Sequence, residues 1–387
     1  MPRFPASSPA IAAMSGSVYS SVAERLRSWS GEVIPLNIGD TWMEPPEGCR
    51  MEDLTVAEHP GMHRYSPPAG LKELRRAVAT HIGARSGLAT SPDEVMISAG
   101  ATAALSTAVG ALLDPGDEML IMAPYWPLIA GMCQAFRGTP VPVPFFAGPE
   151  VPTSAEEAVD AFRRRRTERT VAIYLNTPHN PSGRVLPREW AEALVAWAAE
   201  EDLWVISDEV YDEFVYAGEH VHLRPLDPAR VITAQSFSKA YGMTGNRCGY
   251  LVGPAATLAE LKKIGTHTYY CAPTPSQLAA LRALESGAGA AWAAHARQRY
   301  AELGRAAAAK LGEPAPAGST FLFPDVSPQL DERGLVGFLE RCADRGLLVA
   351  PGPSFGPYPT HVRVCFTAAP PEQVLRGFDI LAELLGR

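Results

Sequence analysis

The sequence has no excess of basic residues, no closely spaced cysteines and no long apolar run. Its formal net charge is −8 at pH 7, whereas a protein that binds DNA or RNA usually presents a basic face. The six cysteines are scattered without a C-x-x-C spacing, which argues against a disulfide framework and a cysteine-ligated zinc site. The longest weakly apolar run, residues 101–113, ends at Asp114 and is too short to span a bilayer. These absences predict a soluble cytoplasmic protein with no nucleic-acid and no membrane partner.

Candidate metal ligands are also scarce. His220 and His222 alternate along an extended stretch, so that both rings can face the same side. Two histidines without a carboxylate or a third ligand nearby make a poor metal site. We therefore predict that no metal is bound and that both histidines are solvent-exposed loop residues.

Short β-rich apolar runs alternate with longer helical patterns through the middle of the chain. The predicted strands cover residues 94–98, 118–123, 171–175, 203–208, 231–235 and 248–252. Helical patterns such as 102–113 and 188–200 lie between them. This alternation predicts an α/β fold with a mostly parallel, doubly wound sheet that is flanked by helices on both faces.

The pattern changes after residue 275. Long helical patterns rich in Ala, Leu and Arg are followed by a short mixed segment at 320–325, a helix at 331–345, a strand at 361–367 and a final helix. This order predicts a smaller α+β domain. The predicted division is a large domain of residues 41–275 and a small domain formed by residues 1–40 and 276–387.

Lys239 differs from the other lysines in its position. Only five lysines are present, and four of them lie in polar helical patterns that are typical of surface charges. Lys239 lies in a segment of small residues, 236–247, directly after a predicted apolar strand. Ligands bind at strand ends in open α/β sheets, and burial there lowers a lysine's pKa and makes the amine nucleophilic towards an aldehyde. Taken alone, a loop lysine would more often be structural.

Polar residues follow three other predicted strands. Strand 203–208 ends in Asp208, with Tyr211 three residues later; a pyridinium nitrogen needs such a carboxylate partner, although a helix N-cap is an equal alternative. Strand 171–175 leads into residues 176–183, Asn-Thr-Pro-His-Asn-Pro-Ser-Gly, in which two prolines and a glycine predict a rigid turn. Strand 94–98 leads through Gly100, Ala101 and Thr102 into a helix whose N-terminus can bind a phosphate.

Together these segments resemble the class I/II aminotransferases, which are pyridoxal-5′-phosphate (PLP) enzymes of fold type I. They follow the family's order and cover the chain from about residue 35 to the C-terminus. Each segment is weak alone, and only their conjunction is specific. The segments are Tyr65-Ser66-Pro67-Pro68-Ala69-Gly70, Gly100-Ala101-Thr102, Pro124-Tyr125-Trp126, Asn180-Pro181-Ser182-Gly183, Asp208-Glu209-Val210-Tyr211, Ser236-Phe237-Ser238-Lys239 and His361-Val362-Arg363.

The resemblance implies a coenzyme role for each matching residue. Lys239 is expected to hold PLP as a Schiff base and to move the proton between the substrate's α-carbon and the coenzyme. Asp208 is expected to pair with the ring nitrogen, Tyr211 and Asn180 with the phenolic oxygen, and Trp126 to stack on the ring. The implied phosphate ligands are the backbone of Ala101 and Thr102, the Ser236 hydroxyl and Arg247.

The resemblance also implies substrate contacts and a partner subunit. Arg363 is expected to bind the substrate α-carboxylate in a bidentate manner, and Gly39 and Asn180 to lie beside the substrate. The tyrosine at the position of Tyr65 reaches the phosphate of the other subunit in this family. We therefore expect a homodimer with shared active sites.

The implied reaction moves an amino group between an L-amino acid and a 2-oxo acid, in a ping-pong cycle through pyridoxamine phosphate. A cyclase, lyase or oxidative deaminase on the same fold remains an alternative, because fold and coenzyme do not by themselves decide the reaction. The sequence also departs from the family: residues 39–45 read Gly-Asp-Thr-Trp-Met-Glu-Pro, where many relatives have a Gly-x-Pro-Asp-Phe-like segment.

A second departure concerns the substrate side chain. In aspartate-using relatives a lysine often occupies the position of Thr102 and attracts a distal carboxylate. Here that charge is missing, and Trp42, Tyr125, Tyr269 or Tyr270 could line an apolar pocket. We predict that neutral or aromatic amino acids are better donors than aspartate, unless an arginine from the partner subunit supplies the charge.

Overall fold

The computed structural model describes residues 29–387, together with positions 4, 8–12, 14, 22 and 25–26. Of the first 40 residues, which were assigned to the small domain, 18 lie outside the described residues. The strands are β1 (Ile34–Pro35), β2 (Val95–Ser98), β3 (Glu118–Ala123), β4 (Thr139–Pro144), β5 (Thr170–Asn176), β6 (Trp204–Asp208), β7 (Val231–Ser236), β8 (Gly249–Val252), β9 (Phe321–Leu322), β10 (Leu347–Leu348), β11 (Ala350–Pro351) and β12 (Val362–Cys365).

Helices alternate with these strands through the first two thirds of the chain and dominate the last third, as predicted. They are α1 (Pro9–Ala12), α2 (Lys72–Ser86), α3 (Gly100–Leu112), α4 (Pro127–Ala135), α5 (Ala155–Arg163), α6 (Arg188–Glu200), α7 (Phe237–Ala240), α8 (Ala255–Thr268), α9 (Thr274–Glu285), α10 (Gly287–Leu311), α11 (Gly334–Ala343) and α12 (Pro371–Leu384). None of the described helices combines the length and the apolar character that crossing a bilayer requires.

A seven-stranded sheet in the order β2-β8-β7-β6-β5-β3-β4 forms the centre of the molecule. Its pairs are parallel except those of β8, which runs antiparallel to β2 and β7. The predicted α/β class with a mostly parallel sheet is therefore confirmed. In register, Asn176 lies opposite Asp208, and Asp208 lies opposite Ala234. The carboxyl ends of β5, β6 and β7 thus meet at one edge of the sheet.

Strand β4 is an element that the sequence analysis missed. Its sequence, Thr-Pro-Val-Pro-Val-Pro, carries three prolines, which argue against a central strand. In the structure β4 lies at the edge and pairs only with β3. Proline is tolerated at such an edge because the missing N–H costs the sheet no internal hydrogen bond.

A second core lies beyond the sheet. Helices α10, α11 and α12 surround buried side chains that include Tyr300, Phe338 and Phe378, and they pack against a three-stranded antiparallel sheet of β11, β12 and β9. Leu36 joins this core from the N-terminal side. Helix α9, although it lies beyond residue 275, packs on α2. The division at residues 41 and 276 remains a prediction.

Candidate active site

One cavity at the carboxyl edge of the sheet collects all the predicted site residues except Tyr65. Its volume is about 770 Å³, which includes the mouth that opens to solvent. Parallel strands bring their carboxyl ends to this edge, and loops from both cores close over it. The predicted residues that line it are Gly39, Ala101, Thr102, Trp126, Asn180, Asp208, Tyr211, Ser236, Lys239, Arg247 and Arg363.

Lys239 enters the cavity from the short helix α7, directly after β7. The hydroxyl of Ser236 caps this helix by accepting a hydrogen bond from the Ser238 N–H at 3.0 Å. The Lys239 Nζ donates to the backbone carbonyl of Gly39. Burial lowers the pKa of Lys239, and the charge of nearby Asp40 partly opposes this effect. A larger share of neutral amine follows, and neutral amine is the nucleophilic form.

Asp208 ends β6 and is 4% exposed. Its Oδ2 accepts a hydrogen bond from the Tyr174 hydroxyl at 2.6 Å, whereas its Oδ1 receives only a long 3.4 Å contact from the Val210 N–H. Burial raises the pKa of Asp208 to about 6, although the Tyr174 hydroxyl opposes the rise. Among the described residues no cation pairs with this carboxylate, so a cationic ligand would stabilise its ionised form.

Arg363 presents a guanidinium group that is held from several sides. Its Nη1 donates to Asn180 Oδ1 at 3.1 Å, and its Nη2 donates to the Asn37 carbonyl at 2.6 Å. The guanidinium lies between the rings of Phe321 and Phe355, with its carbon 4.4 Å and 4.7 Å from the two ring centres. These contacts fix the planar fork, which suits a carboxylate.

The start of α3 forms an anion cradle together with Arg247. The cap residue Ala99 makes no side-chain hydrogen bond to the first turn, so the backbone N–H groups of Ala101 and Thr102 can serve a ligand. Gly100 has φ +81°, and a Cβ there would lie 2.5 Å from Arg247 Nη2. Only glycine therefore allows the guanidinium to lie over the helix N-terminus. Arg247 itself adopts φ +54°, an uncommon conformation for a residue other than glycine.

The groups in this cavity fit PLP. The aldehyde needs a neutral amine, the ring nitrogen a carboxylate and the phosphate an anion cradle. Lys239, Asp208 and the α3 start with Arg247 and Ser236 offer these three features within one cavity. The unpaired Asp208 is the most specific of them, because a buried carboxylate without a cation is costly.

Tyr65 does not reach this cavity. Its side chain is 83% exposed, and its ring lies edge-on to that of Tyr270, with the centres 5.0 Å apart. Tyr270 is itself 46% exposed and has φ +66°. The two tyrosines thus form an exposed aromatic pair, which is where a residue that serves another subunit would have to be.

The prediction that Trp42, Tyr125, Tyr269 or Tyr270 could line the substrate pocket is wrong. In the described lining Trp42, Tyr125, Tyr269 and Tyr270 are absent, and the aromatic surface comes from Trp126, Tyr211 and Phe321. Trp42 packs instead on Tyr300 in the second core, and Tyr269 packs in the core beneath the sheet. These aromatic residues lie near the motifs in the sequence, but that proximity does not determine whether their rings point into the cavity.

Further residues that support the site were not predicted from the sequence. Asn176 donates from Nδ2 to the Asp208 carbonyl at 2.9 Å and accepts from the Asn180 N–H at 2.8 Å. Tyr174 lies two positions earlier on β5 and so points to the same face of the sheet. The hydroxyl of Tyr174 and the amide of Asn176, two positions apart in a mostly apolar strand, could have indicated that both residues support the site. Phe321 gave no such signal.

His220 and His222 are not exposed loop residues, which corrects that prediction. Their side chains are 6% and 11% exposed and flank the fully buried carboxylate of Glu209. His220 Nε2 lies 3.0 Å and His222 Nδ1 2.7 Å from Glu209 Oε2. The carboxylate that appeared to be missing beside the two histidines is therefore present. It is that of Glu209, because the chain between Glu209 and His222, 13 positions apart, folds back to the end of β6.

Hydrogen bonds account for this cluster without a metal ion. Glu209 Oε1 accepts from the Ser207 hydroxyl at 2.7 Å and the Leu223 N–H at 3.1 Å, while Oε2 faces the two rings. A metal-bound histidine normally donates its second ring N–H to a partner, but His220 Nδ1 has no hydrogen-bond partner among the described residues. The cluster fits a structural bond network better than a metal centre.

Because the cavity offers what each part of PLP requires, and lies at the carboxyl edge of a mostly parallel sheet, the site and the fold are those of a PLP enzyme. The sequence profile described as Aminotransferase class I and II matches residues 31–379. The chain therefore belongs to the class I and II aminotransferase family and is a PLP-dependent aminotransferase, as the resemblance implied.

Individual relatives agree with this assignment. An aspartate/prephenate aminotransferase from Thermus thermophilus is 32% identical over 375 residues, 94% of each chain. An arginine–pyruvate transaminase from Pseudomonas aeruginosa is 35% identical over 369 residues, 92% of each chain. A solved aspartate aminotransferase from Thermus thermophilus, with maleate, superimposes with a TM-score of 0.85 at 30% identity and covers 98% of this chain and 99% of that one.

Proposed function

We propose that Lys239 is the residue that binds PLP covalently and that carries the proton during transamination. The observation that supports this most directly is that Lys239 alone among the five lysines lines the cavity. The other four lie in helices, where three are exposed and Lys310 is partly buried; Lys263, for example, is paired with Glu260 on the surface of α8. The lowered pKa of Lys239 suits both covalent attachment and proton transfer.

Four further residues are assigned to the coenzyme ring. Bound PLP supplies an electron-withdrawing ring that stabilises negative charge at the substrate α-carbon. Asp208 keeps the ring nitrogen protonated, and burial raises the pKa of Tyr211, so its hydroxyl stays a donor for the phenolic oxygen. Asn180 uses its Oδ1 for Arg363, which leaves its amide nitrogen for the same phenolic oxygen. Trp126 covers one face of the ring.

The two anionic groups are assigned to separate ends of the cavity. The phosphate is bound by the N–H groups of Ala101 and Thr102, by Ser236 and by Arg247. The substrate α-carboxylate is bound by Arg363, whose fork is already fixed, so little side-chain entropy is lost on binding. The backbone of Gly39 borders the substrate, and a Cβ at this position would lie 2.7 Å from Phe321 Cζ.

Borohydride reduction tests the central assignment. In coenzyme-loaded protein the reduced adduct should map to the peptide that contains Lys239, and Lys239→Ala should form none while keeping its fold. Lys263→Ala is the matched control and should behave as the parent does. An adduct on any of the other four lysines would disprove the assignment.

We further propose that the enzyme prefers neutral or aromatic amino acids to aspartate. Among the described residues lining the cavity, the cations are Lys239, Arg247 and Arg363, and each has a role above. A distal carboxylate would therefore be desolvated without a partner, which costs several kcal/mol. The names of the relatives do not decide the matter, because one acts on aspartate and prephenate and the other on arginine.

A substrate series measures this preference. Comparing kcat/KM for aspartate, phenylalanine, leucine and alanine should show aspartate behind the neutral donors, with each donor converted to its 2-oxo acid. An advantage of about tenfold or more for aspartate would mean that a cation outside the described cavity, such as one from a partner subunit, binds the distal carboxylate.

The active unit is proposed to be a homodimer in which Tyr65 completes the site of the other subunit. The exposed Tyr65–Tyr270 pair supports this, because it lies outside its own cavity. Mixing inactive Tyr65→Phe subunits with inactive Lys239→Ala subunits should restore activity, since one hybrid site would then be intact. A fully active monomer at high dilution would rule it out.

A cytoplasmic location is also proposed. The six cysteines are free thiols, and five of them are buried. Unpaired thiols of this kind are typical of a reducing compartment. Recovery of the native protein in the soluble cytoplasmic fraction of its source cells would test this.

A further inference from the structure

We propose that Tyr174 is a positioning residue for the amino-transfer reaction, which holds the Asp208 carboxylate in one orientation through its hydroxyl group. The proposal rests on the role assigned to Asp208 above. Tyr174 lies in the middle of β5 and is fully buried. Its hydroxyl reaches across to the neighbouring parallel strand and donates to Asp208 Oδ2 at 2.6 Å.

The two oxygens of Asp208 are treated differently. Oδ2 has the short hydrogen bond from Tyr174, whereas Oδ1 has only the 3.4 Å contact from Val210. Oδ1 is therefore the oxygen that remains for the ring nitrogen of PLP. The backbone of Asp208 is held as well, because Asn176 donates to its carbonyl at 2.9 Å. Strand β5 thus fixes both ends of this residue, and neither Tyr174 nor its hydroxyl lines the cavity.

The same hydrogen bond favours the charged form of the carboxylate. Burial raises the pKa of Asp208 and the Tyr174 hydroxyl opposes the rise. Burial and the negative charge of Asp208 hold the pKa of Tyr174 far above its ordinary value, so the hydroxyl remains a donor at any working pH. Without it, Asp208 would bind a proton more tightly and would leave the ring nitrogen less protonated.

Tyr174→Phe tests the proposal, since it removes one oxygen atom and keeps the ring that packs in the core. Tyr250→Phe is a matched control: Tyr250 is a buried tyrosine on β8, and its hydroxyl donates to Gln235 Oε1 at 2.9 Å outside the cavity. We expect kcat of Tyr174→Phe to fall about 10- to 100-fold, the range for a lost hydrogen bond to a charged group. KM should stay nearly constant, because Tyr174 touches no substrate.

A spectroscopic measurement separates this role from a merely structural one. The pH midpoint of the coenzyme's visible absorbance change should move upward in Tyr174→Phe, because a less protonated ring withdraws less charge from the lysine–coenzyme bond. Incorporation of 3-fluorotyrosine at position 174, a more acidic donor, should move the midpoint downward, and this test holds even if Tyr174→Phe fails to fold. The midpoint of Tyr250→Phe should not move.

A double variant shows whether Tyr174 acts through Asp208. In an Asp208→Asn background the further change Tyr174→Phe should cost little, because the carboxylate it positions is gone. An unchanged kcat and midpoint in Tyr174→Phe, together with a severe loss in Asp208→Asn, would overturn this inference alone. A nearly normal Asp208→Asn would instead overturn the assigned role of Asp208, on which the inference rests.

Discussion

Asp208 and Glu209 are consecutive carboxylates, both buried at the end of β6, yet their surroundings differ in almost every respect. Asp208 has one strong neutral donor, and burial raises its pKa to about 6. Burial alone would also raise the pKa of Glu209, but hydrogen bonds from His220 and His222 hold it well below its ordinary value. Glu209 also accepts bonds from a serine hydroxyl and a backbone N–H.

We propose that this difference separates a carboxylate that serves the coenzyme, Asp208, from a structural one, Glu209. Glu209 has all its hydrogen-bond partners within the protein. Its contacts with His220 and His222 hold the end of β6 in position. Asp208 lacks a cation, and the cavity beside it accommodates a coenzyme whose ring nitrogen can supply one. Groups whose environments push their pKa values apart in this way commonly have different roles. Burial by itself therefore does not distinguish the two carboxylates, whereas the lack of a cationic partner does.

The largest effect should come from removing the charge at each position in turn. Asp208→Asn should retain coenzyme but lose roughly 10³-fold or more in turnover, because the ring nitrogen is no longer kept protonated. Glu209→Gln, measured on folded protein, should stay within about tenfold of the parent. Steady-state kinetics on both variants decide the point, and equal losses would remove the distinction drawn between the two carboxylates.

For the free energy of unfolding we expect the reverse order, with the larger loss in the Glu209 variant. Glu209→Gln should lower the free energy of unfolding by about 3–5 kcal/mol, because it leaves two buried imidazole groups without their carboxylate. Urea unfolding at pH 7 measures this, with Tyr250→Phe as a control for the loss of an ordinary buried hydrogen bond, about 1 kcal/mol. A Glu209→Gln protein as stable as the control would show that the histidine cluster adds nothing.

Asp208→Asn should stabilise the coenzyme-free protein at high pH. The pKa of Asp208 rises from 3.8 to about 6 on folding, so the native state binds the proton more tightly, and stability falls as pH rises between these values. The penalty is fully present above pH 6 and amounts to about 3 kcal/mol. Unfolding of coenzyme-free parent and variant should therefore diverge between pH 4 and pH 8. Parallel curves would mean that Asp208 is ionised without cost.

The smallest effect concerns His222. Burial alone would lower its pKa, but the hydrogen bond that His222 donates to the Glu209 carboxylate raises it above 6.5. The resulting stability is fully present below pH 6.5 and is lost as pH rises through the raised pKa. His222→Gln should therefore cost about 1 kcal/mol at pH 6, and the difference from the parent should shrink towards pH 9. A cost that does not change with pH would point to packing rather than charge.

Whether a site residue could be predicted from the sequence depends on how far apart the interacting residues lie in the chain. Asp208, Asn180 and Lys239 could be predicted because each lies at the end of a strand or within four residues of it, and parallel strands bring such positions to one edge. The bond between Tyr174 and Asp208 spans 34 residues, and nothing local to either residue implies it. The histidines were misjudged for the same reason, since their carboxylate is adjacent in space but not in the local sequence.

The sequence by itself determined the family and the coenzyme, and it predicted most of the residues that line the cavity, because these depend on motifs at strand ends. The tertiary structure alone decided which buried carboxylate lacks a cationic partner, which aromatic rings line the cavity and how Asp208 and Arg363 are held. These properties depend on side-chain direction and on contacts between distant segments, which periodicity and spacing do not encode. The electrostatic character of each buried group follows from those contacts, because burial and hydrogen-bond partners set its pKa.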